Sequence, residues 1–67
     1  MAVARITEIT SSSKKSFQAA IEKGIKRATK TLKNVKSAWI ADQELIVDGS
    51  DIVAYRVRLK ITFLLSE

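Results

Sequence analysis

The sequence predicts an α+β domain in which a three-stranded antiparallel sheet, in β-α-β-β order, packs on one amphipathic helix. From Val53 to Leu65 the odd positions are apolar (Val53, Tyr55, Val57, Leu59, Ile61, Phe63, Leu65), while Arg56, Arg58, Lys60 and Thr62 occupy even ones. Side chains alternate across a strand, so this segment has one apolar and one basic face. Between Phe17 and Leu32 the apolar residues recur at a helical period instead. Asp48-Gly49, set between two apolar runs, is a strong short-range hairpin signal.

In chain order, Val3 to Thr10 holds Val3, Ile6, Thr7, Ile9 and Thr10, β-branched residues that suit a first strand. Ser11, Ser12 and Ser13 are candidate N-caps for the helix that follows, whose apolar stripe is Phe17, Ile21, Ile25, Ala28 and Leu32. Its second half carries Lys26, Arg27, Lys30 and Lys33, which complement the negative end of the helix dipole, and Glu22 stands four residues before Lys26 as an ion pair. Ala20, Gly24 and Ala28 form a second stripe. A mid-helix glycine disfavours the helix by about 1 kcal/mol relative to alanine, so close packing on the sheet is the expected reason for Gly24. The second strand runs from Val35 to Val47, and the most regular strand, the third, is expected between the other two and antiparallel to both.

Length and composition narrow the function. A chain of 67 residues is one domain, here residues 1–67, and so small a chain buries only about 60% of its unfolded surface. It has no cysteine and no histidine, which excludes disulfides, thiolate or imidazole metal ligands and a Cys or His nucleophile or base. Of the usual ways to stabilise a small domain, self-association remains. The 46% hydrophobic content exceeds what one copy can hide and reads as subunit interface. Nothing resembles a signal peptide, and no apolar run approaches the ~20 residues of a membrane span, so a cytoplasmic protein is expected.

Charge is unevenly placed. Residues 14–33 hold seven bases against the single acid Glu22. Without interleaved aromatics such a face is usually a solvated one, so nucleic acid through the basic helix is a lesser alternative. With Asp48-Gly49 as a two-residue turn, Val47 faces Ser50. Ala38 then lies opposite Leu59, Ile40 opposite Val57 and Asp42 opposite Tyr55 on the helix side, leaving Ser37, Trp39 and Ala41 beside Lys60, Arg58 and Arg56 on the open face. A slip of one residue would exchange those faces. The only tryptophan is thus expected across from an arginine, in reach of a cation–π contact. Tryptophans so placed more often fill an interface between copies than stack on a ligand.

The run Val3 to Ser13, the stretch Ser16-Phe17-Gln18-Ala19-Ala20 through Arg27-Ala28, and the tail Tyr55-Arg56-Val57-Arg58-Leu59-Lys60-Ile61-Thr62-Phe63 resemble the dodecin family over nearly the whole chain. The resemblance implies a hollow homo-dodecamer and, as in many members, binding of FMN or riboflavin in stacked pairs. Flavin-binding members carry a ring-stacking tryptophan where Ser37 stands and a ring-edge glutamine where Arg56 stands, whereas an aspartate near the ligand's polar chain matches Asp42. Trp39 lies two residues beyond Ser37, on the same face and ~6 to 7 Å along the strand. A guanidinium in place of an amide favours an anionic partner.

The leading function is therefore a storage or sequestering shell for a flavin or another flat or anionic small molecule, with Trp39, Arg56, Asp42 and Ser37 as site residues. A flavin-free assembly holding calcium or magnesium is the alternative, because Asp42, Glu44, Asp48 and Asp51 crowd the hairpin. Catalysis is not expected. No two carboxylates share an apolar setting that would separate their pKa values, and Gly24 and Gly49, the only glycines, form no phosphate-cradling loop.

Overall fold

A computed structural model describes residues 3–65; residues 1, 2, 66 and 67 of the predicted domain lie outside the described residues. The elements are β1 (Ala4–Ser13), α1 (Phe17–Thr31), β2 (Val35–Asp48) and β3 (Asp51–Leu64). The sheet order is β1-β3-β2 with both pairings antiparallel, so the most regular strand is central, as expected.

The chain enters the helix differently from the sequence expectation. Ser11, Ser12 and Ser13 belong to β1, and Ser16 is the N-cap, its Oγ accepting the Ala19 N–H at 3.0 Å. Lys15 N–H donates to Ser13 Oγ at 3.0 Å and tightens the bend between strand and helix. At the far end Leu32 N–H still donates to the Ala28 carbonyl at 2.9 Å. Asn34 then takes φ 61°, a left-handed conformation that asparagine tolerates better than most residues, and turns the chain into β2. Its carbonyl accepts the Leu64 N–H at 3.0 Å, tying that turn to the end of β3. Glu22 accepts from Gln18 Nε2 at 3.1 Å and makes no ion pair with Lys26.

The core is a thin seam. Val57, Leu59 and Ile61 are buried on β3 beneath Ala20, Gly24 and Ala28, the small-residue stripe of α1. Phe17, Ile21, Ile25 and Leu32, the expected core stripe, flank that contact half-buried. Small residues at the seam let the helix backbone settle close to the sheet. Each fully buried aliphatic side chain contributes roughly 1.5–3 kcal/mol before entropy is counted. Phe17 closes one end, edge-on to Tyr55 with ring centroids 5.2 Å apart. β2 lies beyond the helix, and Ala38 and Ile40 on its helix side remain exposed. The radius of gyration, 13.8 Å, exceeds the roughly 11 Å of a compact domain this long.

The hairpin corrects the predicted register. The turn residues are Gly49 and Ser50, so Asp48 faces Asp51, with Gly49 at φ 64° in the first central position, where type II′ turns place glycine. Moving the turn by one residue shifts the register by two and preserves the faces. Of the three register shifts in this ladder, one lies at the start of β2, between Val35 and Ser37, and the other two act in opposite senses. An extra residue in β3, Val53, exchanges the faces of the segment that follows, and an extra residue in β2, Ala41, restores them. Trp39 therefore keeps its predicted face but lies opposite Lys60, not an arginine; Asp42 lies opposite Arg58 on the open face, not opposite Tyr55 on the helix side.

Gly24→Ala is expected to lower the apparent Tm, although alanine favours the helix by about 1 kcal/mol. Its Cβ would stand 3.0 Å from Leu59 Cδ1 and 3.1 Å from Ser11 Cβ, and the latter is fixed to the backbone of β1. Overpacking of this kind costs about 1–3 kcal/mol. Thermal unfolding followed by circular dichroism checks it; a raised Tm would show the helix free to lift off the sheet. Ser16→Ala, by loss of its cap, is expected to cost about 1 kcal/mol in the same assay.

Candidate functional site

The open face of the sheet collects residues from all three strands. β3 contributes Arg56, Arg58, Lys60 and Thr62; β1 places Glu8 opposite Lys60, Thr10 opposite Arg58 and Ile6 opposite Thr62; β2 places Ser37 opposite Thr62, Trp39 opposite Lys60, Asp42 opposite Arg58 and Glu44 opposite Arg56. The Ala41 bulge is what lets Trp39 and Asp42, separated by an odd number of residues, share this face.

The face divides into two chemistries. At one end Arg58 Nη2 lies 2.9 Å from Asp42 Oδ2 and its Nη1 3.4 Å from Glu8 Oε2, so one guanidinium bridges the two edge strands across the central one. Beside it Arg56 Nη1 donates to Glu44 Oε1 at 3.2 Å. These groups surround a shallow polar depression of about 220 Å³ with Thr10. All of them are roughly half exposed, and ion pairs in such a setting contribute little to stability. At the other end Trp39 is 46% exposed, and Lys60 Nζ stands 5.9 Å from its ring centroid. That is the outer limit of a cation–π contact, worth about 0.5–1 kcal/mol at an exposed site.

Of the four site residues predicted from sequence, Ser37 and Trp39 therefore fall in the aromatic end, and Asp42 and Arg56 in the ion-paired end. The charge of Arg56 is met within the chain by Glu44. Sequence reading put Lys60 on this face without naming it a site residue and missed Glu8, because only the true register shows which charges are matched. The hairpin acids do not form a metal centre within one subunit. Asp42 and Glu44 are held by arginines, and among the described residues no three acidic side chains converge.

A second concavity, of about 550 Å³, lies between β1 and α1. Thr7, Thr10, Ser11, Ser12, Lys23 and Arg27 give it a hydroxyl-rich and basic wall. No aromatic residue lines it, and Lys23 Nζ donates to the Ser12 carbonyl at 3.4 Å across its rim. No helix among the described residues is long and apolar enough to cross a membrane.

Comparison with known proteins gives these features a context. The sequence profile of the family described as Dodecin matches residues 3–66. Calcium dodecin of Mycobacterium tuberculosis is 25% identical over 63 residues, which span 94% of this chain and 89% of that protein. Among solved structures, a dodecin from Streptomyces davaonensis superposes with a TM-score of 0.92 at 29% identity, covering 98% of this chain and 97% of that one. A variant dodecin from Thermus thermophilus gives a TM-score of 0.92 at 25% identity, covering all of both chains. The crystal structure of the M. tuberculosis calcium dodecin, described as having a novel calcium-binding site, shares the fold with a TM-score of 0.84 at 23% identity, over 96% of this chain and 91% of that one.

Arg58→Met is expected to destabilise the protein by no more than about 1 kcal/mol, because the pairs it breaks are exposed. The effect should shrink as salt screens the remaining carboxylates, Glu8 and Asp42. Urea denaturation at low and at high sodium chloride measures both; a large, salt-insensitive loss would mean that this face is buried in the assembled protein.

Proposed function

The chain belongs to the dodecin family, and from that premise we propose that it closes with copies of itself into a hollow twelve-subunit shell in the cytoplasm, which holds a small molecule and performs no catalysis. The observation that carries this reading is the apolar surface one subunit leaves in water. Ile40, Leu45, Val47, Ile52 and Val53, all on the β2–β3 hairpin, are 42–57% exposed. A chain this small has little stability to spare, and covering those side chains with a second copy supplies it. The described shape supports the same reading, since an extended hairpin reaching past its own helix has more surface to offer a neighbour than to bury at home.

Within that shell the open face is the place for cargo. Trp39 is the aromatic contact, Ser37 lies one step along the strand, and Asp42 and Arg56 form a polar rim. FMN or riboflavin is the first ligand to test, through the flavin binding that the family resemblance brings. Calcium, the ligand in the name of the M. tuberculosis relative, finds no group of three acids among the described residues of one subunit. It would require acids from several copies.

Native mass in dilute buffer is expected near twelve times the 7.4 kDa subunit; a folded, solitary subunit in sedimentation overturns the proposal. On titration with FMN or riboflavin the fluorescence of Trp39 should be quenched. Unchanged fluorescence together with colourless purified protein removes flavin as the cargo. A melting temperature that falls on addition of chelator would favour the calcium alternative.

A further inference from the structure

We propose that Trp39 and Lys60 form a binding site for a planar aromatic anion whose charged group is attached directly to its ring. This deepens the reading of a ligand-holding shell and rests on it. The starting point is the charge balance along the basic row of β3. Arg56 is matched by Glu44 at 3.2 Å, and Arg58 by Asp42 at 2.9 Å and Glu8 at 3.4 Å. Lys60, the third cation of the row, makes no ion pair among the described residues. Its cross-strand neighbour is Glu8, yet that carboxylate turns to Arg58, while the Lys60 ammonium turns the other way and stands over Trp39. The row thus ends in one unmatched, half-buried charge beside the only tryptophan.

The surroundings of this pair supply the rest of a ligand's needs. The indole is 46% exposed, so it has free ring surface, and Ile6, 55% exposed and opposite Thr62, adds an apolar side chain on the far edge strand of the same face. Ser37 and Thr62 face each other one step along the ladder and add two hydroxyl groups. An aromatic ring stacks on indole with centroids about 4.5 Å or more apart. Lys60 Nζ lies 5.9 Å from the indole centroid on a flexible stem, so a carboxylate on the stacked ring itself comes within its reach. A neutral ring would gain the stacking on Trp39 without that charged partner. The anionic partner that the family resemblance suggested for Arg56 passes to Lys60, because Glu44 already occupies the guanidinium.

The test compares 2-naphthoate with 2-naphthamide, two rings of the same shape with and without charge, by calorimetric titration of the assembled protein at low salt. The carboxylate is expected to bind about tenfold more tightly than the amide, as fits a hydrogen bond to a charged group. In Lys60→Met the two affinities should converge on that of the amide, and Trp39→Leu should weaken both. In the unaltered protein the preference should also fall toward unity with rising salt, a readout that survives if a variant fails to assemble. Equal binding of the two probes overturns the charge selection while leaving the shell and its planar cargo in place. Binding of neither means that another copy covers Trp39, and the ligand reading falls together with this one.

Discussion

One helix has to serve a sheet twice its length. The 15 residues of α1 make a rod of about 22 Å, whereas the 14 residues of β3 extend about 46 Å. The buried residues lie where the two overlap: Val57, Leu59 and Ile61 in the strand, Ala20, Gly24 and Ala28 above them, and Ser11 of β1 alongside. Beyond that seam the hairpin runs on without cover, and β2, on the far side of β3, never meets the helix closely enough to bury a residue. Close approach is the best use of so small a contact, which is why the seam is lined by Ala20, Gly24 and Ala28 and not by the larger residues beside them. The same mismatch turns Ile40, Leu45 and Val47 from failed core residues into a surface that another copy can complete.

Much of this fold is legible in the residues, because alternation and helical period are strong signals in long elements. The third strand announces itself by a dozen alternating positions, and its central place follows from being apolar on one face along its length. What the sequence left open were choices among near-equivalent neighbours. Four serines precede the helix within six residues, and only the geometry of the bend selects Ser16 as the cap over Ser11, Ser12 and Ser13. Asn34 gave no periodic signal, since a lone left-handed residue belongs to no repeat.

The site was legible only by parity. Trp39 keeps its predicted face because a turn moved by one residue changes the register by two, and the bulges at Val53 and Ala41 cancel by the time the ladder reaches it. Asp42 lies between those bulges and is therefore on the opposite face from the one an unbroken ladder assigns. A bulge has no residue signature of its own here: Val53 and Ala41 are ordinary strand residues, and the extra length appears only when both strands are laid side by side. The family resemblance could place Ser37 and Arg56 where other members have a tryptophan and a glutamine. It could not show that Arg56 is already paired.

The two bulges settle the charge of the open face as well as its geometry. In an unbroken ladder Asp42 and Glu44 would point to the helix side, their carboxylates beside the apolar row of β3, and Arg56, Arg58 and Lys60 would stand on the open face with only Glu8 to answer them. Such a face would attract any polyanion without discrimination, since a row of like charges has no preferred partner geometry. With the bulges in place, three carboxylates from the two edge strands meet the two arginines, and positive charge survives at one position, next to the indole. Counted with Lys60, three acids and three bases balance on this face, and Lys60 is the base that makes no ion pair among the described residues. These two inserted residues, Val53 and Ala41, invisible to composition and net charge, thereby bring Asp42 and Glu44 to the arginines and leave Lys60 beside the indole.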